Sequence, residues 1–574
     1  MEVAEKLITE NLDVWTSAVK PKSSAGRGSN NKRELYGIQK LRELILDLAV
    51  QGLLVPQNSE DEPAIEHCGL FGSGSELKAP FELPPIWTWS NLEQIATING
   101  GFAFKSSDYS DDGIRVVRIS DFDENGFKNE KIVRHSFSPE LEKFSLRDGD
   151  ILMAMTGGTV GKSLHVKALA EPMLVNQRVA SIRASEAITS NYLNVLIQSE
   201  VTQKVIHEAK NSTNDNISMR DIKGFLVPLP PLAEQHRIVA KVDELMALCD
   251  QLEQEQESSL DTHDTLVATL LGALTTATAD ASQFAEAWQR IQANFDTLFT
   301  TESSIDQLKQ TILQLAVMGK LVPQDPEDEP ASELLDRIAI EKAKLVTEGK
   351  IKKQKKLPEI TEEEAPFMLP AESWSWVKLD DITELITKGS SPKWQGISYV
   401  PKEEGILFVT SENVGYYNLR KLDEPKYVES RFNEIEPRSI LNRGDILMNL
   451  VGASIGRTAL YSLDEEANIN QAVALIRLFG KIDGVDRNYL LHYLNSPEAI
   501  DYMLGSRVIN AQPNISLTDA RNFLIPLPPL AEQLRIVAKV DELMALCNQL
   551  KGSLATAQTT QFNLADSLVE QAIG

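Results

Sequence analysis

The sequence predicts an α+β protein built as two tandem copies of one unit, each a strand-rich globular domain framed by helices. Three observations carry this. A long block occurs twice almost unchanged, GFLVPLPPLAEQHRIVAKVDELMALCDQLE at Gly224–Glu253 and NFLIPLPPLAEQLRIVAKVDELMALCNQLK at Asn522–Lys551. Apolar residues after each PLPPLAEQ alternate steps of four and three, the spacing of a coiled-coil seam. Between the helical blocks lie short β-branched and aromatic runs broken by glycine and asparagine, which read as strands. An internal repeat settles architecture before any local pattern does.

The elements follow in order. Ile38, Leu41, Ile45 and Leu48 form a short helical seam that stops at Gly52, mirrored by Ile305, Leu308, Ile312, Leu315 and Gly319. Each copy continues with an acidic, proline-bearing stretch, SEDEPA before Ile65 and PEDEPA before Ser332. Paired tryptophans, Trp87/Trp89 and Trp374/Trp376, then open the strand-rich regions, roughly Pro85–Ser218 and Ala371–Ser516. Tryptophan is chiefly a burial residue, so packing is the expected role.

Inside those regions GIRVVRISDF, GDILMAM and VASIR read as strands, answered by GILFVTSENV, GDILMNL and VALIR. RDGDILMAMTGGTVGK (Arg147–Lys162) matches NRGDILMNLVGASIGR (Asn442–Arg457). Asn176-Gln177 matches Asn470-Gln471, and Asn216-Ile217-Ser218 matches Asn514-Ile515-Ser516. The long helices follow at Leu232–Leu271 and Leu530–Ser567, with prolines barring any earlier start. Their seams run Ile238, Val242, Leu245, Cys249, Leu252 and Ile536, Val540, Leu543, Cys547, Leu550. The chain thus divides at 1–84, 85–218, 219–370, 371–516 and 517–574, with the copies joined near Ala279–Gln283. The helical segments are nearly identical between copies, whereas Asn99–Leu146 and Lys388–Leu441 match poorly. Two copies that share a frame and differ locally suggest two readers of different things.

Length alone, 574 residues, exceeds one ordinary core. A hydrophobic fraction of 42% and a charged fraction of 24% are those of a globular protein. No apolar run approaches the roughly 18 residues of a membrane span. Met1–Lys20 carries acidic residues and no apolar core, and Cys68, Cys249 and Cys547 have no paired or metal-ligand spacing. A cytoplasmic protein without membrane association, disulfides or bound metal is expected. The net charge of −26 weighs against a lone nucleic-acid binder, because phosphate neutralisation supplies most of such affinity. The charge is reconcilable if partners provide the phosphate clamp.

Catalytic motifs fail on inspection. GGTVGKS at Gly157–Ser163 has three residues between its glycines where a phosphate loop needs four, and the other copy carries Arg457 in place of the lysine. A glycine-permitted turn is the better reading. Phe71-Gly72-Ser73-Gly74 lacks the rest of a methyltransferase loop, and no Asn/Asp-Pro-Pro-aromatic tetrapeptide follows. No catalytic residue is expected.

The doubled PLPPLAEQxRIVAKVDELMALC block, the GDILM…G…G block followed by NQ, and ELLDRIAIEKAKLVTEGKIKKQKK at Glu333–Lys356 resemble the specificity subunits of type I restriction–modification systems. The likeness spans essentially the whole chain, and the N-terminal helical part with the full tandem length looks most like the type IB branch. The resemblance implies two target-recognition domains, 85–218 and 371–516, each reading half of a bipartite, asymmetric site on double-stranded DNA. It implies that the long helices pack as an antiparallel, pseudo-twofold coiled coil, fix the half-site spacing and dock two methyltransferase subunits, to which restriction subunits bind. S-adenosylmethionine, ATP and Mg then belong to those partners, not to this chain. About 28 helical residues span roughly 42 Å, compatible with half-sites about 34–36 Å apart on one face of DNA. The first copy lacks the basic insert, so Lys350–Lys356 can serve one half only, and a solvated linker is its plainer reading.

Base edges are read by Arg or Lys on guanine, Asn or Gln on adenine, and Ser or Thr on either. The candidates are Lys105, Ser106, Ser107, Arg118, Ser120, Asn176, Gln177 and Arg178 in the first domain. In the second they are Lys388, Ser390, Ser391, Lys393, Thr410, Ser411, Asn413, Asn470 and Gln471. Lys162 and Arg457 are candidate phosphate contacts. Residues in the dissimilar stretches suit base readout; the shared Asn-Gln pairs suit backbone, phosphate or their own loops. Two other readings stay open: a specificity subunit for a fused type II methyltransferase–nuclease, and a coiled-coil scaffold that binds no DNA.

Overall fold

The computed structural model describes residues 2–21, 33–64, 80–209, 215–276, 281–351, 357–480, 484–505 and 514–573. Cys68, the Phe71–Gly74 run, Ala279–Asp280 and Lys352–Lys356 lie outside them. The chain forms two compact units, Met1–Leu260 with Thr556–Gly574, and Asp261–Ala555.

Five helices carry the frame: α1 (Tyr36–Val50), α2 (Leu232–Thr276), α3 (Glu302–Val317), α4 (Ala331–Thr347) and α5 (Leu530–Ile573). Helix α1 ends as its sequence requires. Gly52 takes φ +74°, and across it the Leu53 N–H donates to the Leu48 carbonyl at 2.9 Å, the closing bond of a glycine C-cap. Gly319 does the same for α3 at φ +65°, with Lys320 N–H on Leu315 O at 2.9 Å. The two long helices run a few residues past the sequence expectation, and each unit takes the start of one and the end of the other. In the first unit Ile238, Val242, Leu245 and Cys249 join the α1 seam, with Ala565 and Leu568 of α5 in the same core. In the second, Ile536, Val540 and Cys547 join the α3 seam, with Val267, Leu271 and Leu274 of α2.

The strand-rich part of the first unit contains β1 (Ala96–Gly100), β2 (Ile114–Val117), β3 (Val133–His135), β4 (Ile151–Ala154), β5 (Ser163–His165), β6 (Met173–Val175) and β7 (Val179–Ala184). They form an antiparallel sheet in the order β5-β4-β7-β1 and a second sheet in the order β6-β2-β3, in which β6 and β2 are parallel. The second unit has β8 (Thr383–Lys388), β9 (Tyr399–Val400), β10 (Gly405–Val409), β11 (Tyr427–Glu429), β12 (Ile446–Asn449), β13 (Thr458–Leu460), β14 (Ala467–Ile469) and β15 (Val473–Leu478). Its orders, β13-β12-β15-β8 and β14-β10-β11-β9, repeat the first with β9 added at an edge. The stretches that match poorly in sequence therefore share their central strands and differ in the loops, in β9 of the second copy and in a short Phe122–Asp123/Gly126–Phe127 hairpin of the first.

The repeated motif holds each domain to its long helix. Pro228 and Pro526 lie in two-stranded ribbons, Leu226–Leu229 on Thr88–Asn91 and Leu524–Leu527 on Ser375–Lys378. The buried Trp87 and Trp374 indoles donate to Glu234 Oε2 and Glu532 Oε2 at 2.9 and 3.0 Å. Gln235 Oε1 and Gln533 Oε1 accept the N–H of Thr189 and Asp486, both at 2.8 Å. Arg237 pairs with Asp61 at 2.6 Å and Arg535 with Asp328 at 2.5 Å, which gives the acidic, proline-bearing stretches a structural role. Burial pushes Glu234 up from its ordinary value and Glu532 up to about 6. Cys249 and Cys547 are buried free thiols, as their seam positions require.

Candidate nucleic-acid interface

In each domain the parallel strand pair brings two C-terminal ends together, Val117 beside Val175 and Val409 beside Ile469. The turns that leave those ends gather with two others. In the first domain the Phe102 N–H donates to Val175 O at 2.8 Å and the Asn176 N–H to Val117 O at 3.0 Å. Lys162 Nζ reaches Ile119 O at 3.3 Å, so Gly101–Phe102, Arg118–Asp121, Gly157–Lys162 and Asn176–Arg178 form one cluster. In the second domain the Asn470 N–H donates to Val409 O at 3.1 Å and Asn449 Nδ2 to Ser411 O at 3.0 Å. A Cβ on Gly389 would sit 1.7 Å from Ile469 O, so only glycine lets the loop after β8 join the others there.

The GGTVGK and GASIGR runs are tight turns between β4 and β5 and between β12 and β13. Gly157, Gly161, Gly452 and Gly456 all have positive φ. Their cations occupy matching places on unlike partners. Lys162 Nζ lies 5.2 Å from the Phe122 ring centre, and the Arg457 guanidinium lies 5.7 Å from that of Tyr416. Burial, then Lys128, lowers the Lys162 pKa.

The other candidates sort by what their side chains already hold. Lys105, Ser106 and Ser107 are exposed on a short turn, and Ser107 donates to Asp108 Oδ1 at 2.9 Å. Arg118 makes two bonds to Asp121, 2.8 and 2.9 Å, and a third to Lys131 O at 2.8 Å, while Ser120 also donates to Asp121. Asn176 is buried and accepts from the Arg178 N–H at 3.3 Å; Gln177 and Arg178 are exposed. Asn470 likewise accepts from the Ala472 N–H at 3.1 Å, with Gln471 half-buried beside it. Lys388 and Lys393 are exposed, Ser391 and Ser411 half-buried, and Ser390 accepts from Gln395 Nε2 at 3.1 Å. Thr410 and Asn413 are buried and bonded to each other at 2.9 and 3.0 Å, so they shape the turn from inside.

At the opposite end of each strand ladder from the cluster lies a repeated ion pair. Asp150, fully buried, takes two bonds from Arg183 at 2.7 Å, and Asp445 takes two from Arg477 at 2.8 and 2.7 Å. Sequence reasoning passed over this pair and over three exposed aromatics in the loops, Phe102, Trp394 and Tyr416. Their signal was present as aromatic residues interleaved with Lys and Ser in glycine-bearing stretches, as in KGSSPKWQG. Among the described residues no group of His, Cys, Asp and Glu is placed to hold a metal ion, and no helix is long and apolar enough to cross a membrane.

Two domains of matching sheet order with unlike loops match a known protein family. The type I restriction modification DNA specificity domain matches residues 84–262 and 371–556, the larger part of the chain. The chain belongs to that family. It is 38% identical to the type I restriction enzyme EcoAI specificity subunit of Escherichia coli, over 99% of both chains. It is also 38% identical to the EcoEI specificity subunit of Escherichia coli, again over 99% of both. Among solved structures, the HsdS subunit from Thermoanaerobacter tengcongensis is 20% identical with a TM-score of 0.40, covering 86% of this chain and 98% of the other. The specificity subunit of a type I restriction–modification system is the component that confers DNA specificity, and it is not the catalytic one.

Proposed function

We propose that this specificity subunit reads a two-part, asymmetric site on double-stranded DNA, one half with each domain, 85–218 and 371–516. The carrying observation is that the same strand topology occurs twice while the loops at the gathered strand ends carry different side chains. Two equal frames bearing unlike loops suit two different half-sites. The nearly identical long helices, by contrast, suit two copies of one partner, and on this reading each docks a methyltransferase subunit. Restriction subunits join through that complex, and S-adenosylmethionine, ATP and Mg are held by the partners. Full-length likeness to EcoAI and EcoEI, together with the N-terminal helical part, supports placement in the type IB branch and a working place in the bacterial or archaeal cytoplasm. Exchanging 85–218 for the matching segment of another specificity subunit tests the modularity. One half of the methylated motif should change and the other stay. Change in both halves, or in neither, contradicts it.

A further inference from the structure

We infer that Trp394 is a specificity-determining residue of the second domain, its indole packing against the bases of the second half-site; this rests on the two-half-site reading above. Trp394 is 75% exposed, the most exposed tryptophan or tyrosine among the described residues. Its loop is nonetheless firmly held. Pro392 is buried at the head of a short turn, Pro392–Gln395, and Gly396 closes it with φ +69°. Gln395 Nε2 donates to Ser390 Oγ and to Glu436 Oε1, both at 3.1 Å, and Arg431 Nη2 donates to Gly396 O at 2.7 Å. A large apolar side chain fixed in water on a rigid turn is fitted to a partner, since no ordering of the loop remains to be done on binding.

The partner's chemistry follows from the surroundings. The loop leaves the gathered strand ends at Gly389, and exposed Lys388 and Lys393 flank its path. Cations interleaved with an aromatic ring suit a phosphate backbone with bases beside it. A methyltransferase subunit is the other large partner in view. It is expected to dock twice, on surfaces the two copies share. Trp394 lies in a stretch where the copies differ, and the first copy's loop, after Gly101, carries instead a Phe102 packed on Phe104 and Phe144 at ring-centre distances of 5.0 and 5.4 Å. An unshared residue fits the unshared ligand, which is the second half-site. Apolar side chains of this kind contact thymine methyl groups or wedge between base steps.

The test uses the full chain co-expressed with its methyltransferase subunit in a methylation-free host, the host genome serving as the DNA probe. Wild type, W394A and W394F are compared by sequencing modified adenines, with complex assembly and melting measured in parallel. W394A is expected to assemble and melt as wild type. At limiting enzyme, about ten- to hundredfold loss of methylation is expected, the scale of one lost stacking contact. Base preference should relax in one half-site only, the half that exchange of 371–516 alters, and W394F should recover part of the loss. Unchanged motif and rate in W394A would overturn the inference while leaving the two-part reading intact. Loss of assembly with the methyltransferase subunit would also overturn it, making Trp394 a protein-docking residue. A wild-type motif without two parts would remove the reading on which it rests.

Discussion

Asp445 and Arg477 show how much of each domain's frame is set by a buried ion pair away from the candidate interface. The carboxylate is 2% exposed and takes two bonds from the guanidinium, which braces β12 against β15 at the end of the ladder away from the gathered turns. Asp445→Ala leaves a half-buried cation without its partner, and unfolding of the second unit should cost about 2–3 kcal/mol less than in the wild type; Asp445→Asn should recover part of that. A second residue-scale consequence concerns pH. Burial pushes Glu498 up to about 7 and Glu532 up to about 6, so the folded chain keeps these protons longer than the unfolded chain does. Their contribution is fully present below the ordinary carboxylate range and is lost as pH rises through about 6 to 7. Glu498→Gln should therefore raise the melting temperature at pH 8, by up to about 2 kcal/mol of stability, and change little at pH 5. An equal gain at both values would refute the assignment. Little at this scale was legible in sequence. Thr410 and Asn413 look like base readers, yet burial turns them inward; Asp61 and Asp328 look like linker acids, yet each holds an arginine of the repeated motif.

The elements were far more readable, because local patterns fix them. The apolar steps place all four seam-bearing helices, Gly52 and Gly319 stop two of them, and the GDILM runs fall on strands. What could not be read is long-range. Nothing local in DELMALC announces that α2 and α5 each divide between units, nor that Tyr399–Val400 adds an edge strand to one copy only. The division of α5 has a consequence. Its last turns pack in the first unit, where Phe562 lies 5.2 Å from the Tyr36 ring centre and Asp566 accepts from the Tyr36 hydroxyl at 2.6 Å. Removing residues 556–574 from a chain that continues covalently from the second unit should loosen the first. Backbone amide exchange should quicken across Tyr36–Val50 and stay unchanged across Glu302–Val317. The opposite pattern would contradict this assignment of the helix end.

For the whole molecule the pressing fact is a net charge of −26 on a subunit that confers DNA specificity. Part of the acid is internal to the frame, as with Asp61, Asp150, Asp328 and Asp445, each bonded to an arginine. The remaining surplus opposes a polyanion, so the isolated chain should bind random duplex weakly. The assembled complex should bind with a much steeper salt dependence, because its partners supply most of the cationic groups that displace counterions from the DNA. Fluorescence anisotropy across a salt series measures both; equal slopes would mean that this chain carries its own clamp. The central claim, that one frame used twice reads two half-sites, is tested most directly by the methylome of a methylation-free host expressing this chain with its methyltransferase subunit. Two unlike short sequences separated by a gap of constant length are predicted. A single continuous motif, or no motif from a complex that demonstrably forms, would contradict the account.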